Sequence, residues 1–406
     1  MTTSLRQRAY IRDLATQVSE IAASDQNARI KQRWRDVNAL RKPDRAPVWC
    51  KPVGAWAELL PPDSLRCTDP RLASIERQFR QVLIKKSIDD DSPVESWFGV
   101  PARFRIEPDS LWGLEVRHES PHVEGGAWAY DPPLKRLEDF ERLTFPTYSY
   151  QQAETESALS RTHDLLGDIL PVKLVCGPPL SATLGTAAAD LRGLNEMMVD
   201  MAANPALMHR LMAHLRDGVL RAMNQVAAAG LLTPNNTGAM TCSDPIGETA
   251  EDGSATYRNL WGSANSQEFD AVSPEMWEEF CLNYQRPILE RFGLACYGCC
   301  ENLTHKIGGV LSIPNLRIFV SSAWTDLDRL LEQIGPDYVI MWRQKASSVV
   351  FPDDLAAIER HLDKGMKKLH GRPVQIVLRE LQTLAGHPDR LRQWTRLAKE
   401  AAARYA

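Results

Sequence analysis

Three of the eight cysteines in the chain lie close together, at Cys296, Cys299 and Cys300. A short strand-like run, Leu294–Tyr297, ends inside this group, and a helical segment is expected to begin near Asn302. A cysteine at the start of a helix lies near the positive end of the helix dipole, which lowers the thiol pKa. Thiolates attack electrophiles or bind soft metals such as Zn²⁺. The cluster therefore predicts a reactive or metal-binding site, and the alternative is a turn of small packed residues.

The metal hypothesis assigns Zn²⁺ to Cys299 first, with Cys300 as a companion. Neighbouring residues on one turn point in different directions, so the cluster supplies two ligands at most. Cys296 ranks lower because it should still lie inside the strand. A catalytic zinc takes three protein ligands, and the third must come from another strand end. Glu268 is the preferred candidate, followed by Glu380 and then His305. For each of these three, a solvated or salt-bridged side chain is the alternative.

Aromatic and cationic side chains at other predicted strand ends would complete a pocket beside the cysteines. Tryptophans can wall a pocket for a flat substrate, and a lysine or arginine can anchor a carboxylate. Core packing and ordinary surface ion pairs are the alternatives. The predicted substrate-binding residues are Trp49, Lys51, Trp261, Tyr297, Trp342, Arg343 and Arg379.

A regular alternation of strand-like and helical segments positions these residues. Strand-like runs, each followed by a helical segment, occur at Leu294–Tyr297, Arg317–Ser321, Asp337–Met341 and Val374–Leu378. Such units predict a parallel sheet or barrel. A doubly wound sheet would give the same pattern, but the glycine-rich phosphate loops are missing. Length and missing loops together favour an α/β fold of the (β/α)₈ TIM barrel type over residues 46–406, with its chemistry at the carboxyl ends of the strands.

Three stretches depart from this alternation. Apolar residues recur at helical spacing from Leu5 to Ile21, which predicts an N-terminal helical segment over residues 1–45. The tract Ser92–Thr147 is rich in Pro, Gly and Trp and is interpreted as an irregular insertion carrying a hairpin. The stretch Leu232–Asp270 is predicted to be a loop because turn signals recur along it.

Composition sets limits on partners and location. The formal net charge is −4, so no basic excess is available to neutralise a phosphate backbone, and nucleic acid is not expected as a partner. No apolar run is long enough for a membrane span, and the N-terminus lacks the apolar core of a signal peptide. These features predict a cytoplasmic protein that is a monomer or a homodimer.

Four segments resemble the uroporphyrinogen decarboxylase superfamily, and more narrowly its corrinoid-linked methyltransferase branch. The segments are Phe292–Leu303, Ile313–Arg317, Ser322–Trp324 and Ser273–Phe280. The resemblance runs from about Ala46 to the C-terminus and is strongest from Asn259 to Gln344. It implies a (β/α)₈ barrel, in agreement with the alternation of segments.

Two differences from this family bear on function. Decarboxylases of the family carry two arginines after a Pro-x-Trp on the first strand. Here Pro47-Val48-Trp49 is followed by Pro52 and Trp56 at those positions, so porphyrinogen binding is disfavoured. The family's zinc methyltransferases have a His-x-Cys where this chain has Tyr297-Gly298-Cys299, and their last cysteine ligand falls close to Glu380.

The resemblance implies a zinc-dependent methyltransferase. It would move a methyl group between a small methylated substrate, such as an aryl methyl ether, and a corrinoid (cobalamin) carried on a partner protein. One alternative is a decarboxylase or lyase that acts on a small aromatic or porphyrin-like acid, anchored by Lys51, Arg343 or Arg379. Another is a non-catalytic barrel that binds a small ligand.

Overall fold

The computed structural model describes residues 3–119, 129–250 and 254–406. Within these ranges the chain forms a mixed α/β structure, and a π-helical turn at Glu278–Leu282 joins two of its helices. The α-helices, in chain order, are α1 (Thr3–Ala23), α2 (Asp25–Asn38), α3 (Trp56–Leu59), α4 (Pro70–Ile88), α5 (Gln152–Leu166), α6 (Leu184–Arg192), α7 (Leu194–Ala203), α8 (Pro205–Ala228), α9 (Pro274–Trp277), α10 (Asn283–Leu289), α11 (Ile307–Leu311), α12 (Leu327–Gln333), α13 (Ser347–Val350), α14 (Leu355–Leu369) and α15 (Arg390–Arg404).

The strands form one large sheet and three pairs. They are β1 (Val48–Pro52), β2 (Phe98–Pro101), β3 (Phe104–Glu107), β4 (Arg117–Glu119), β5 (Ala129–Asp131), β6 (Thr147–Tyr150), β7 (Val172–Val175), β8 (Trp261–Ala264), β9 (Leu294–Tyr297), β10 (Leu316–Ser321), β11 (Val339–Gln344) and β12 (Val374–Leu381). The six-stranded sheet is parallel, in the order β1-β12-β11-β10-β9-β8. Strands β2 and β7 form a parallel pair, whereas β3 with β6 and β4 with β5 are antiparallel.

The curled six-stranded sheet confirms the predicted parallel α/β framework in part, because the barrel is not closed within the described residues. At the free edge of β1, side chains accept hydrogen bonds from the backbone N–H groups of the strand. Asp91 accepts the N–H of Val48 at 2.7 Å, and Asp90 accepts the N–H of Cys50 at 2.9 Å. These carboxylates satisfy donors that a neighbouring strand would otherwise bind, so the ladder stops at β1.

The opposite edge of the sheet, at β8, is covered in the same way. The side chain of Asn235 accepts the N–H of Trp261 at 2.8 Å and donates to its carbonyl at 2.9 Å. Thr183 accepts the N–H of Asn265 at 3.1 Å, just after the strand. A side-chain amide thus takes the place of a strand beside β8, and the parallel pair β2–β7 remains separate from the sheet.

The second N-terminal helix, α2, packs onto one side of this sheet. Ile30, Trp34 and Val37 of α2 are buried in one cluster with Ile318 and Val339 of the sheet. The cluster joins residues from both sides of the expected boundary at residue 45. The predicted N-terminal helical segment is present, and its second helix shares the core of the strands.

Two sequence-based expectations were wrong in detail. The tract Ser92–Thr147 contains the consecutive antiparallel strands β4 and β5, which agree with the predicted hairpin, although residues 120–128 between them lie outside the described residues. It also contains β2, a strand paired in parallel with β7, which was not predicted. The stretch Leu232–Asp270 contains β8, which is only four residues long and includes Gly262. A strand this short gives too few residues for an alternation to be recognised.

Among the described residues, no helix combines the length and apolar character that crossing a membrane requires.

Candidate functional site

The thiols of Cys299 and Cys300 lie at the carboxyl end of β9, as the sequence predicted for a strand end. Gly298 makes this turn possible, because its φ of +110° is a conformation that residues with a Cβ rarely adopt. A Cβ at this position would also lie 3.1 Å from the carbonyl oxygen of Val320. The backbone therefore leaves the strand abruptly and presents both thiols beside β11 and β12.

Cys299 is held as a thiolate. Its Sγ lies 3.5 Å from the Sγ of Cys300 and accepts a hydrogen bond from Nη1 of Arg343 at 3.4 Å. The hydrogen bond from Cys300 and the positive charge of Arg343 outweigh partial burial, and they lower the pKa of Cys299 to about 5. Cys300 carries the proton of the pair, since its pKa is raised by the same contact.

Glu301 holds the backbone of this turn in place through hydrogen bonds. Its carboxylate is 3% exposed, and it accepts the N–H of Cys299 at 2.9 Å and the N–H of Ser266 at 2.8 Å. Burial raises the pKa of Glu301. Glu301 was not among the residues predicted from the sequence, although its position directly after Cys300 in a strand-end turn was a usable signal.

A β-bulge brings Glu380 to the cluster. Between Cys50 and Pro52 the partner strand β12 advances by three residues, from Leu378 to Leu381. Glu380 lies in this extra segment with φ at +59°, which is unusual for a residue other than glycine. Bulges next to sites redirect side chains, and here the carboxylate of Glu380 accepts a hydrogen bond from Cys300 at 3.2 Å.

Arg343 connects the thiolate to the carboxylate. Its side chain is 3% exposed, and Nη1 donates to Oε1 of Glu380 at 3.0 Å as well as to Cys299. The sequence predicted a substrate-binding role for Arg343, whereas in the structure it is an ion-paired residue of the cluster. A buried guanidinium between two anions stabilises both in their charged forms.

The donor chemistry of the cluster suits zinc, since two thiols and a carboxylate are common zinc ligands. In the present arrangement, however, the cation between Cys299 and Glu380 is the guanidinium of Arg343. Over residues 3–119, 129–250 and 254–406, no three His, Cys, Asp or Glu side chains already converge as a metal site. A zinc ion would therefore have to displace Arg343 from these two donors.

The other predicted ligands lie elsewhere. Glu268 accepts a hydrogen bond from the hydroxyl of Thr186 at 2.7 Å, and its second carboxylate oxygen is buried beside Gly185 of α6. His305 is exposed. Burial raises the pKa of Cys296 to about 12, in contrast to Cys299. The structure therefore brings Cys299, Cys300 and Glu380 together and leaves Glu268 and His305 outside the cluster.

Two further cations lie near the thiolate. The pKa of Lys51 is lowered, first by desolvation and then by the positive charges of Arg379 and Arg343. The pKa of Arg379 is lowered by the same two causes, burial and Arg343. Neither Lys51 nor Arg379 has an acidic partner within the described part of the chain. Two cations that repel one another and form no ion pair of their own are suited to an anionic ligand, although the Cys299 thiolate and Glu380 offset part of their charge.

The predicted aromatic residues divide between the two faces of the sheet. Trp49 is half-buried at the edge strand β1, where Nζ of Lys85 lies 5.6 Å from the centre of its ring. Trp261 is buried at the start of β8, where its indole N–H donates to Ser243 at 3.2 Å.

Tyr297 and Trp342 face the helices instead of the thiols. The hydroxyl of Tyr297 is fully buried, donating to Gln285 at 2.8 Å and accepting from the indole of Trp277 at 3.2 Å. Trp342 packs against α14, where a Cβ on Gly365 would lie 2.1 Å from its ring. Alternation along a strand explains both placements, since Cys296 and Arg343 point to the other face.

Comparison with known proteins gives a fold likeness only. No family model matches the chain, and no curated protein matches its sequence. One solved structure that is similar in fold is a methyltransferase from Methanosarcina mazei, with a TM-score of 0.52 and 10% sequence identity. The likeness covers 91% of this chain and 98% of that one.

Proposed function

We propose that this chain is a methyltransferase that moves a methyl group between a small methylated substrate, such as an aryl methyl ether, and a corrinoid carried on a partner protein. The observation that carries the proposal is the thiolate of Cys299, paired with Arg343 at the carboxyl ends of the strands. The fold likeness to a protein named as a methyltransferase supports the same class of reaction.

A cavity at the edge strand β1, between this strand and helices α2 and α4, has the size and walls for such a substrate. It has a volume of about 360 Å³ and is lined by Lys51, Trp49, Trp56, Val82 and Val94, among others. Binding sites for small molecules are mostly apolar, with a few polar groups that fix orientation. The tryptophan rings match a flat aromatic body, and Lys51 connects this cavity to the thiolate through its electrostatic interaction with Cys299.

The chain's own groups would act on the leaving oxygen. Methyl transfer breaks the bond between the methyl carbon and oxygen, and the electron pair of that bond stays on the oxygen. Lys51 and Arg379 form no ion pair among the described residues and lie close to the cluster, where their positive charge would stabilise this developing anion. The partner's corrinoid, when bound, would supply the electron pair that forms the new bond to the methyl carbon.

Zinc is part of the proposal. Its donors would be Cys299, Cys300 and Glu380, so Glu380 replaces Glu268 as the third ligand. When bound, the ion would supply Lewis acidity for the heteroatom of the substrate or a thiol. Arg343 keeps two of these donors charged and is the group that zinc must displace. Charged, deprotonated donors are a condition for metal binding.

Elemental analysis of the purified protein tests the zinc component independently of activity. We expect about one zinc per chain in the wild type and in Cys296→Ser, and severe loss in Cys299→Ser. At a pH high enough to keep Cys299 deprotonated in both proteins, Arg343→Met should bind zinc more tightly, because a competing cation is removed. If Cys299→Ser retains the wild-type zinc content, the assignment of the ion to this cluster is wrong.

A methyl-transfer assay tests the function itself. The wild type and Cys296→Ser are incubated with methoxylated aromatic compounds and a corrinoid protein, and demethylated product is measured. We expect product from both proteins and almost none from Cys299→Ser. Release of carbon dioxide from aromatic acids would select a decarboxylase instead. Ligand binding with neither reaction would select a non-catalytic barrel.

A further inference from the structure

A second cavity, separate from the one beside Lys51, lies between the ends of β10 and β11 and helix α14. Its volume is about 600 Å³. Trp342 forms part of its wall and stacks on His361, with ring centres 5.4 Å apart. Val349 and Ile358 extend the apolar surface. The methyltransferase proposal makes no use of this space.

The charged residues that line this cavity are all basic. The lysines are Lys345, Lys364 and Lys368, and no Asp or Glu of the described residues is among the lining. His361 also lines the cavity, but burial lowers its pKa, and the guanidinium of Arg343 points to the other face of the sheet. Lys368 is paired with Asp328, and Arg343 is paired with Glu380. Lys364 and Lys345 have no acidic partner within the described residues, although Lys345 lies over the ring of Trp324. In a chain with net charge −4, such a concentration of positive charge indicates an anionic ligand.

A buried donor without a partner points to the same class of ligand. Gln344 lines the cavity and is 1% exposed, and the nitrogen of its side-chain amide has no hydrogen-bond partner. Burying an amide donor without a hydrogen bond is energetically unfavourable, so such groups are nearly always satisfied by some partner. An acceptor on a bound molecule would satisfy this one.

We propose that this cavity binds a small organic anion with an apolar body. The acidic group, a carboxylate or a phosphate, would lie between Lys364 and Lys345 and accept from the amide of Gln344. The apolar body would lie against Trp342 and Ile358. This site does not depend on the proposed methyl transfer, because none of these five residues belongs to the thiolate cluster.

Calorimetric titration of the full chain at low salt tests this proposal with three probes: phenyl phosphate, benzoate and inorganic phosphate. We expect saturable binding of phenyl phosphate that Lys364→Glu weakens at least about tenfold. Lys367→Glu is the matched control, since this lysine is exposed on the same helix, does not line the cavity and changes the net charge equally. Gln344→Leu should also weaken binding, because it removes the donor without opening a void.

Comparing the affinities for the three probes distinguishes a phosphate ligand from a carboxylate ligand. Stronger binding of phenyl phosphate than of benzoate would assign a phosphate, and the reverse a carboxylate. Arg379→Met should leave the affinity unchanged, which separates this cavity from the cations near Cys299. The proposal is overturned if the wild type binds neither aromatic probe, or if Lys364→Glu and Lys367→Glu weaken binding equally. Equal affinity for inorganic phosphate and phenyl phosphate would overturn the apolar part.

Discussion

At the scale of single residues, the site depends on how one proton is shared between two adjacent thiols. Cys299 and Cys300 are adjacent, yet their pKa values move in opposite directions, first because Cys300 donates a hydrogen bond to Cys299. In addition, Cys299 lies against Arg343, whereas Cys300 lies against the carboxylate of Glu380. Glu301 adds a second constraint by holding the N–H of Cys299. The reactive residue is therefore selected by its neighbours on β11 and by the turn after β9.

Replacing Arg343 tests this selection. In Arg343→Met we expect the pKa of the Cys299 thiol to rise, since the guanidinium is a main source of positive charge at its sulfur. The midpoint of thiol alkylation should move up by about one pH unit or more. Arg379→Met is the control, because Arg379 has a weaker effect on Cys299. An unchanged midpoint in Arg343→Met would show that Arg343 does not stabilise the thiolate.

Cys299 could be predicted from the sequence because a cysteine between a strand-like run and a helical segment is recognisable from local pattern alone. Glu380 was correctly considered, but the bulge that turns it toward Cys300 depends on pairing with β1, which no local pattern contains. Glu268 follows a strand end equally well, but its carboxylate lies at Gly185 and Thr186 of α6. Which strand-end residues meet is a tertiary property, and spacing along the chain does not determine it.

At the scale of secondary structure, the edge of β1 is held by buried carboxylates. Asp91 accepts the N–H of Val48 and is paired with Arg33 at 2.7 Å and with Arg45 at 2.7 Å. The carboxylate is 1% exposed. The regular β–α alternation predicted the strands themselves, whereas side chains that replace a strand at the sheet edge leave no periodic signal in the sequence.

Removing the carboxylate of Asp91 should destabilise the fold strongly. Asp91→Ala leaves two arginines without their shared partner, and we expect a loss of about 3–5 kcal/mol in the free energy of unfolding. Asp44→Ala is the matched control, since Asp44 also pairs with Arg33 but is 59% exposed; its cost should be about 0–1 kcal/mol. Urea unfolding followed by circular dichroism measures both. Equal losses would contradict a special role of the buried carboxylate.

At the scale of the whole molecule, the second N-terminal helix, α2, and the sheet share one core. Trp34 of α2 is fully buried with Val339 and Ile318, and its indole N–H donates to the carbonyl of Asp91 at 2.6 Å. The predicted helical segment over residues 1–45 is thus joined to the strands by packing as well as by the chain. The helical periodicity predicted that these residues are buried but could not show against which surface.

Truncation of Trp34 tests this shared core. Trp34→Ala should lower the free energy of unfolding by about 3–5 kcal/mol, through lost burial and the cavity left behind. Trp324→Ala is the control, because Trp324 is 57% exposed and its loss should change stability by about 0.5 kcal/mol or less. If the unfolding transitions of Trp34→Ala and the wild type coincide, the N-terminal helices do not stabilise the sheet.

The most direct test of the central claim is the pH dependence of cysteine alkylation in the native protein, mapped residue by residue with iodoacetamide and mass spectrometry. The pKa of Cys299 is about 5, whereas the pKa of each other cysteine is raised above its ordinary value. We therefore predict that Cys299 alone is labelled rapidly at neutral pH, and that its labelling is lost as the pH falls through about 5 and the thiolate takes up a proton. Labelling of Cys299 with a midpoint near that of an ordinary thiol, or faster labelling of another cysteine, would contradict the account.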